Sequence, residues 1–435
     1  MYNISIIINK EGEIMSNYIK RSVENKLEQL SKSFPVIMIT GSRQVGKTTL
    51  LNNLQKQSKS EINYVSLDNL SVRALAKEEP ELFLERYKAP LIIDEFQYAP
   101  DLLSYIKIIV DEKKQEHLEN EKVQSMGLYY LTGSQVFHTM KSVSESLAGR
   151  VGILELYPLS NREIENKNED FFLPIYESLE NKEKTKRLDV DKVYEKILKG
   201  SYPELYSNPN IEPRDFFESY IKTYIERDIR ELINVKDETK FLKFIESVAV
   251  RTGQELNIND ISNSIEINNM TAQNWLSILV STGLVYLLQP YSNNNISRIV
   301  KRPKLYFMDT GLACYLAGYM DSITLEKSAF NGAIFETYVI TEIIKSFANA
   351  GLDSRKYLYY YRDNNGKEID LLIIYNNTVY PLKIKKSFNP GKQAIKNFDV
   401  VNNFGLEIGN GGVICLAKDL FPLDKNNNLI PLELL

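Results

Sequence analysis

Gly41-Ser42-Arg43-Gln44-Val45-Gly46-Lys47-Thr48, followed by Thr49, satisfies every fixed position of the phosphate-binding pattern G-x-x-x-x-G-K-[ST]. Backbone N–H groups of such a loop, and the helix N-terminus after it, attract phosphate oxygens. Lys47 is placed to reach β- and γ-phosphates, and the Thr48 hydroxyl to ligate Mg²⁺. A glycine turn before an ordinary helix shares part of this pattern. The flanks favour the loop, because residues 36–40 read as a buried strand and 48–54 carry helical apolar spacing.

A phosphate loop needs a second carboxylate for the metal. Ala89-Pro90-Leu91-Ile92-Ile93-Asp94-Glu95 supplies one at the end of an apolar strand. Asp94 is expected to hold Mg²⁺ through water, and Glu95 to polarise the attacking water. The competing reading makes both acids caps of the next helix. Downstream, Ser134 and Gln135 follow the strand 128–132 and are candidates to sense a γ-phosphate, although a plain strand-ending turn fits equally. Arg150, after Gly149, is either an arginine finger, in cis or from a neighbouring subunit, or a surface arginine at a turn. Arg43 faces either phosphate or solvent.

The elements that must position these groups alternate. Strands are expected at 36–40, 62–67, 90–94, 128–132 and 151–156, and helices at 47–57, 70–87 and 102–116. That order argues a parallel α/β sheet. Residues 161–191 are highly charged and read as an exposed insertion or hinge. Helices follow to 250, broken at Gly200-Ser201-Tyr202-Pro203. Short helices at 258–264 and 270–282, then a strand at 284–288, give a winged-helix pattern. Further strands are expected at 357–361, 369–375, 379–384 and 412–416.

The 435 residues are 43% hydrophobic and 25% charged, with a net charge of −4. That composition suits a soluble protein of two or three domains and gives no global basic footprint. Two cysteines, Cys314 and Cys415, exclude a disulfide framework and suit a reducing cytoplasm. His117 and His138 lie in no ligand spacing. No apolar run reaches the length of a membrane span. Met15 reads as a natural start, with residues 1–14 as an upstream extension.

Taken together, the motifs resemble the prokaryotic AAA-type ATPases that carry a C-terminal DUF4143 domain. The resemblance rests on the loop, on Leu91-Ile92-Ile93-Asp94-Glu95-Phe96-Gln97, on Leu131-Thr132-Gly133-Ser134 and on Leu147-Ala148-Gly149-Arg150-Val151. Tyr157-Pro158-Leu159-Ser160, Gly200-Ser201-Tyr202-Pro203-Glu204 and Tyr224-Ile225-Glu226-Arg227-Asp228-Ile229 extend it. Residues 304–312 and Gly332-Ala333-Ile334-Phe335-Glu336 complete it. The resemblance implies ATP binding and hydrolysis and leaves the substrate open.

In the C-terminal part, Glu336, Asp370 and Lys385 resemble the core of restriction-endonuclease-like domains. Lys383 stands where that core has an acid. An ammonium there repels a divalent cation, so the domain is expected to be degenerate. A basic strip remains: Lys383, Lys385, Lys386, Lys392 and Lys396, with Arg298, Lys301, Arg302 and Lys304 in the preceding linker. It is either a solvated face or a phosphate-binding surface for DNA.

The expected organisation is an extension at 1–16, the ATPase domain at 17–160, a charged and helical linker at 161–240, a winged-helix region at 241–300 and the nuclease-like domain at 301–435. ATP and Mg²⁺ are the expected cofactors. Homo-oligomers and an unknown protein are expected partners, with DNA through the winged helix and basic strip as a further one. The alternatives are a slow nucleotide-gated switch, a DNA-binding protein and a metal-dependent nuclease.

Overall fold

The computed structural model describes residues 7–8, 14–15, 18–58, 61–133, 146–224, 238–292 and 302–435. Strands β1 (Ile7–Ile8) and β2 (Ile14–Met15) pair with each other near the N-terminus.

The first large sheet has five parallel strands: β3 (Val36–Thr40), β4 (Asn63–Ser66), β5 (Leu91–Asp94), β6 (Tyr129–Thr132) and β7 (Val151–Glu155), in the order β4-β5-β6-β3-β7. All five residues of β3 are buried, as a central parallel strand covered on both faces requires. Alternation then splits its side chains. Val36 and Met38 join a core beneath α3 (Leu70–Glu78), α4 (Pro80–Arg86) and α5 (Leu102–Glu119). Ile37 and Ile39 join a larger core that continues without a break into the C-terminal half. The helix expected over 70–87 is therefore two helices. Pro80 forces Glu79 out of helical geometry, to φ −135° and ψ 65°, and then starts α4.

The stretch 161–191 departs from expectation only at its start. It opens on Asn161, Arg162 and Glu163, all buried. Ser160 and Glu163 form a reciprocal capping box. Arg162 donates to the carbonyls of Asn168, Glu183 and Leu435. Beyond this buried, satisfied start, most charged side chains of the stretch are exposed.

Helices Ile258–Ser264 and Asn269–Ser281 lie between the first and second strands of a three-stranded antiparallel sheet, β8 (Gln254–Glu255), β9 (Val285–Leu288) and β10 (Lys304–Phe307), ordered β8-β10-β9. The last sheet is mixed. It runs β11 (Leu358–Arg362), β12 (Glu368–Tyr375), β13 (Thr378–Lys385), β15 (Gly411–Cys415), β17 (Asn427–Pro431) and β16 (Phe421–Pro422), with β14 (Glu407–Ile408) beside β13. The helix Asn331–Asn349 is buried along most of its length, polar residues such as Thr337, Glu342 and Lys345 included.

Candidate nucleotide site

The loop leaves β3 at Gly41 and re-enters helix at α2 (Lys47–Gln57). Gly41 has φ +140°, and a Cβ there would sit 2.1 Å from the Leu156 carbonyl oxygen. Gly46 has φ +94°. Both positions demand glycine, one for contact and one for backbone angle. Lys47 is buried, and its Nζ donates to the carbonyls of Gly41 at 2.9 Å and Ser42 at 2.8 Å. Thr49 is exposed on the first turn of α2.

Strand β6 lies between the loop strand and the acid strand. Asp94 ends β5 on the same side of the sheet as the loop, and Thr48 Oγ1 lies 3.2 and 3.1 Å from its two carboxylate oxygens. Thr132, at the end of β6, also donates to Asp94 Oδ1. Tyr64, from β4, donates to Asp94 Oδ2 at 2.9 Å. Burial, and then the Asp94 charge, push the Tyr64 phenol up, so it remains a donor. The Thr48 hydroxyl and Asp94 carboxylate are hard oxygen donors converging on one point. They fit a magnesium ion.

Glu95 sits in the left-handed region at φ 55°, which turns it away from the strand and into the cleft. Gln97 Nε2 donates to its carboxylate, and Gly133 makes room for Gln97, since a Cβ there would lie 2.7 Å from the Gln97 side-chain oxygen.

The cleft holds about 670 Å³. Arg43, Gln44, Gly46, Lys47, Thr48, Thr49 and Glu95 form its polar floor. Tyr18 and Ile19 come from the N-terminal side, and Pro203, Ile211 and Phe216 close it from the other. Arg43 lines the cleft. Arg150 does not line it. Its Nε and Nη2 instead pair with Asp111 on α5 at 2.7 and 2.8 Å. Ser134 and Gln135 lie outside the described residues, as do Arg298 and Lys301.

Sequence reasoning missed Arg21, Tyr64 and Gln97, and gave Thr132 no role of its own. Thr132 had a signal, a polar residue at a buried strand end, but Arg21 had none. It is 3% exposed and reaches the loop from outside every motif.

Two family motifs explain each other. A Cβ on Gly311 would lie 2.7 Å from the Gly200 amide and 2.7 Å from the Leu198 carbonyl oxygen. Asp309 accepts from the Ser201 amide at 2.6 Å and caps the next helix through the Leu312 amide at 2.8 Å. Tyr202, one residue on, packs on Phe216 and Tyr220.

Residues 33–165 match the AAA domain family, and 331–435 match the domain of unknown function DUF4143. The chain carries an AAA domain and a C-terminal DUF4143 domain. Between them, 190–322 match another domain of unknown function, DUF8612. Over 415 residues the chain is 26% identical to uncharacterized proteins of Mycobacterium tuberculosis and Mycobacterium bovis, which covers 95% of this chain and 84% of each relative. Among solved structures, a Walker-type ATPase of Pyrococcus abyssi is 15% identical, with 72% of this chain and 99% of that chain covered and a TM-score of 0.39. A RuvB variant of Thermotoga maritima is 16% identical, with coverage of 61% and 88% and a TM-score of 0.28.

In the DUF4143 part, the carboxylates Glu336, Glu368 and Asp370 are already paired. Lys383 bonds Asp370, whose other oxygen accepts from the Ile384 amide at 2.8 Å. Lys304 reaches Glu336 at 3.1 Å and Glu368 at 2.7 Å, and Tyr306 donates to Glu336 at 2.7 Å. Burial alone would lower the Lys304 ammonium and raise Glu368. The opposite charges around each win, and both shifts are reversed. Lys304 is therefore no linker cation, because it is buried in an ion cluster. Lys386 pairs with Glu326 at 2.5 Å. Of the strip on the last domain, Lys385, Lys392 and Lys396 are the members exposed to solvent. No group of three or more His, Cys, Asp or Glu among the described residues is arranged to hold a metal. No helix among them is long and apolar enough to cross a membrane.

Proposed function

We propose that the chain binds ATP with Mg²⁺ in the cleft beside the Gly41–Thr49 loop and hydrolyses it to ADP and phosphate. One observation carries this: Lys47, Thr48 and Glu95 line one cleft, and Asp94 is bonded to Thr48 at its edge. Thr48 and Asp94 would hold the ion, which neutralises phosphate charge when bound. The loop N–H groups bind phosphate oxygens, and Lys47 exchanges its carbonyl partners for them. Glu95, oriented by Gln97, accepts a hydrogen bond from the attacking water. The water oxygen bonds the γ-phosphorus as the bond to the bridging oxygen breaks, releasing ADP.

We also propose that this cycle moves the C-terminal regions. Gly283, in the turn between the helix Asn269–Ser281 and β9, sits close enough that a Cβ would lie 3.4 Å from the Ser42 amide. Arg355 of the DUF4143 side bonds Glu155 at the end of β7 at 2.6 Å. One contact lies at the loop itself and the other on the strand beside β3, so a shift at the phosphates has a path to the C-terminal half.

Arg150, held by Asp111 outside the cleft, acts on nucleotide in this reading from a neighbouring copy. A size measurement with and without ATP tests that role: assembly on ATP supports it, and an unchanged monomer removes it. The primary test is ATP binding and phosphate release. Wild type turns over, and Lys47→Ala loses binding. A wild type that binds no ATP refutes the reading.

A further inference from the structure

Arg21 uses all three guanidinium nitrogens on partners from distant parts of the chain. Nη1 donates to the Val45 carbonyl inside the phosphate loop at 2.7 Å. Nη2 donates to the Tyr157 carbonyl at 2.7 Å, and Nε pairs with Glu163 at 3.0 Å. The pair is 3% and 0% exposed. Glu163 is itself fixed. It accepts from the Ser22 amide at 2.8 Å and from the Ser160 amide at 2.9 Å, and it closes the capping box. The guanidinium is thus a rigid fork aimed at one loop carbonyl.

A trans peptide is planar, and its C=O and N–H point in opposite directions. Val45 C=O points at Arg21. The N–H of the same peptide unit, on Gly46, therefore points away from Arg21. Gly46 is the residue before α2 and lines the cleft. A Cβ on Gly46 would lie 3.7 Å from Arg21 Nη1, so the guanidinium packs directly behind the peptide it orients.

We propose that Arg21 is a positioning residue of the nucleotide site, fixing the Val45–Gly46 peptide so that the Gly46 N–H is presented to phosphate. The role rests on the nucleotide-binding reading above. Its charge is neutralised by Glu163, so Arg21 acts through geometry rather than field. The bond it makes exists before and during reaction alike. Its loss therefore weakens binding uniformly and leaves the chemical step intact.

The test is the Kd for ADP and for ATP, with KM and kcat for phosphate release, in wild type, Arg21→Gln, Arg21→Lys and Glu163→Gln. Losing a charge-assisted bond predicts Kd and KM raised about tenfold in Arg21→Gln, equally for ADP and ATP, with kcat within about twofold of wild type. Arg21→Lys keeps the charge but lacks the fork, and shows the same loss. If the Arg21 variants fail to fold, Glu163→Gln, which frees the fork, carries the same readout with a smaller rise. Unchanged Kd, or a fall in kcat at constant KM, overturns the proposal and leaves nucleotide binding standing. Wild type that binds neither ADP nor ATP overturns the underlying reading, and that result needs no variant.

Discussion

Thr48 Oγ1 donates to the Asp94 carboxylate across the end of the first sheet, 3.2 and 3.1 Å from its two oxygens. The residues are 46 positions apart in the chain and belong to α2 and β5. Thr132 and Tyr64 add two further bonds to the same carboxylate. Four elements thereby fix one acid beside the phosphate loop.

That arrangement makes metal dependence testable. Asp94→Asn replaces one carboxylate oxygen with a donor and removes a negative charge. ATP affinity in Mg²⁺ is expected to fall about tenfold or more, while affinity in excess chelator stays unchanged. Parallel fluorescence titrations with and without Mg²⁺ measure the difference.

Gly41 allows a sharper structural test. Its φ is +140°, and a Cβ at this position would lie 2.1 Å from the Leu156 carbonyl oxygen. Alanine must therefore displace backbone held by the β3–β7 pairing. Gly41→Ala is expected to cost about 2 kcal/mol or more in denaturant unfolding and to abolish nucleotide binding.

The ion cluster in the C-terminal half predicts a pH signature. Lys304→Met leaves Glu336 and Glu368 facing Asp370 with one ammonium fewer. Burial, then the Asp370 charge, already push Glu336 up. Without Lys304 the folded pKa of Glu336 rises further above its unfolded value, and Glu368 loses the ammonium that holds it down. Stability is then kept at low pH and lost as pH rises. The variant is expected to lose about 3 kcal/mol at pH 8 and less at pH 5. Urea unfolding at the two pH values checks it.

Glu169 predicts a slope in wild type. Burial, then the Glu163 charge, raise its pKa from 4.5 to about 7, although Asn349 and Ser160 bond it. The folded state holds the proton more tightly, so this group's contribution is full below pH 4.5 and is lost as pH rises through 7. Thermal midpoints are expected to fall across that window in wild type. Glu169→Gln is expected to flatten the fall.

The site was legible where its logic is local. The loop, Asp94 and Glu95 each lie within one strand-to-turn segment, and β3, β5 and β6 begin and end within a residue of expectation. What escaped is long-range. Arg21 meets Glu163 across 142 residues, and nothing local links the two. Lys304 looked like a linker cation because its partners lie 32 and 64 residues further on. The burial of Asn161–Glu163 was hidden for the same reason, since charged side chains read as solvated until their carbonyl and carboxylate partners are known.

The most direct test of ATP hydrolysis is single-turnover phosphate release by Glu95→Gln beside wild type. The account predicts that the variant binds ATP as tightly as wild type and retains it, with phosphate release reduced at least about a hundredfold, as loss of a positioned general base implies. Phosphate release by Glu95→Gln at the wild-type rate would contradict it.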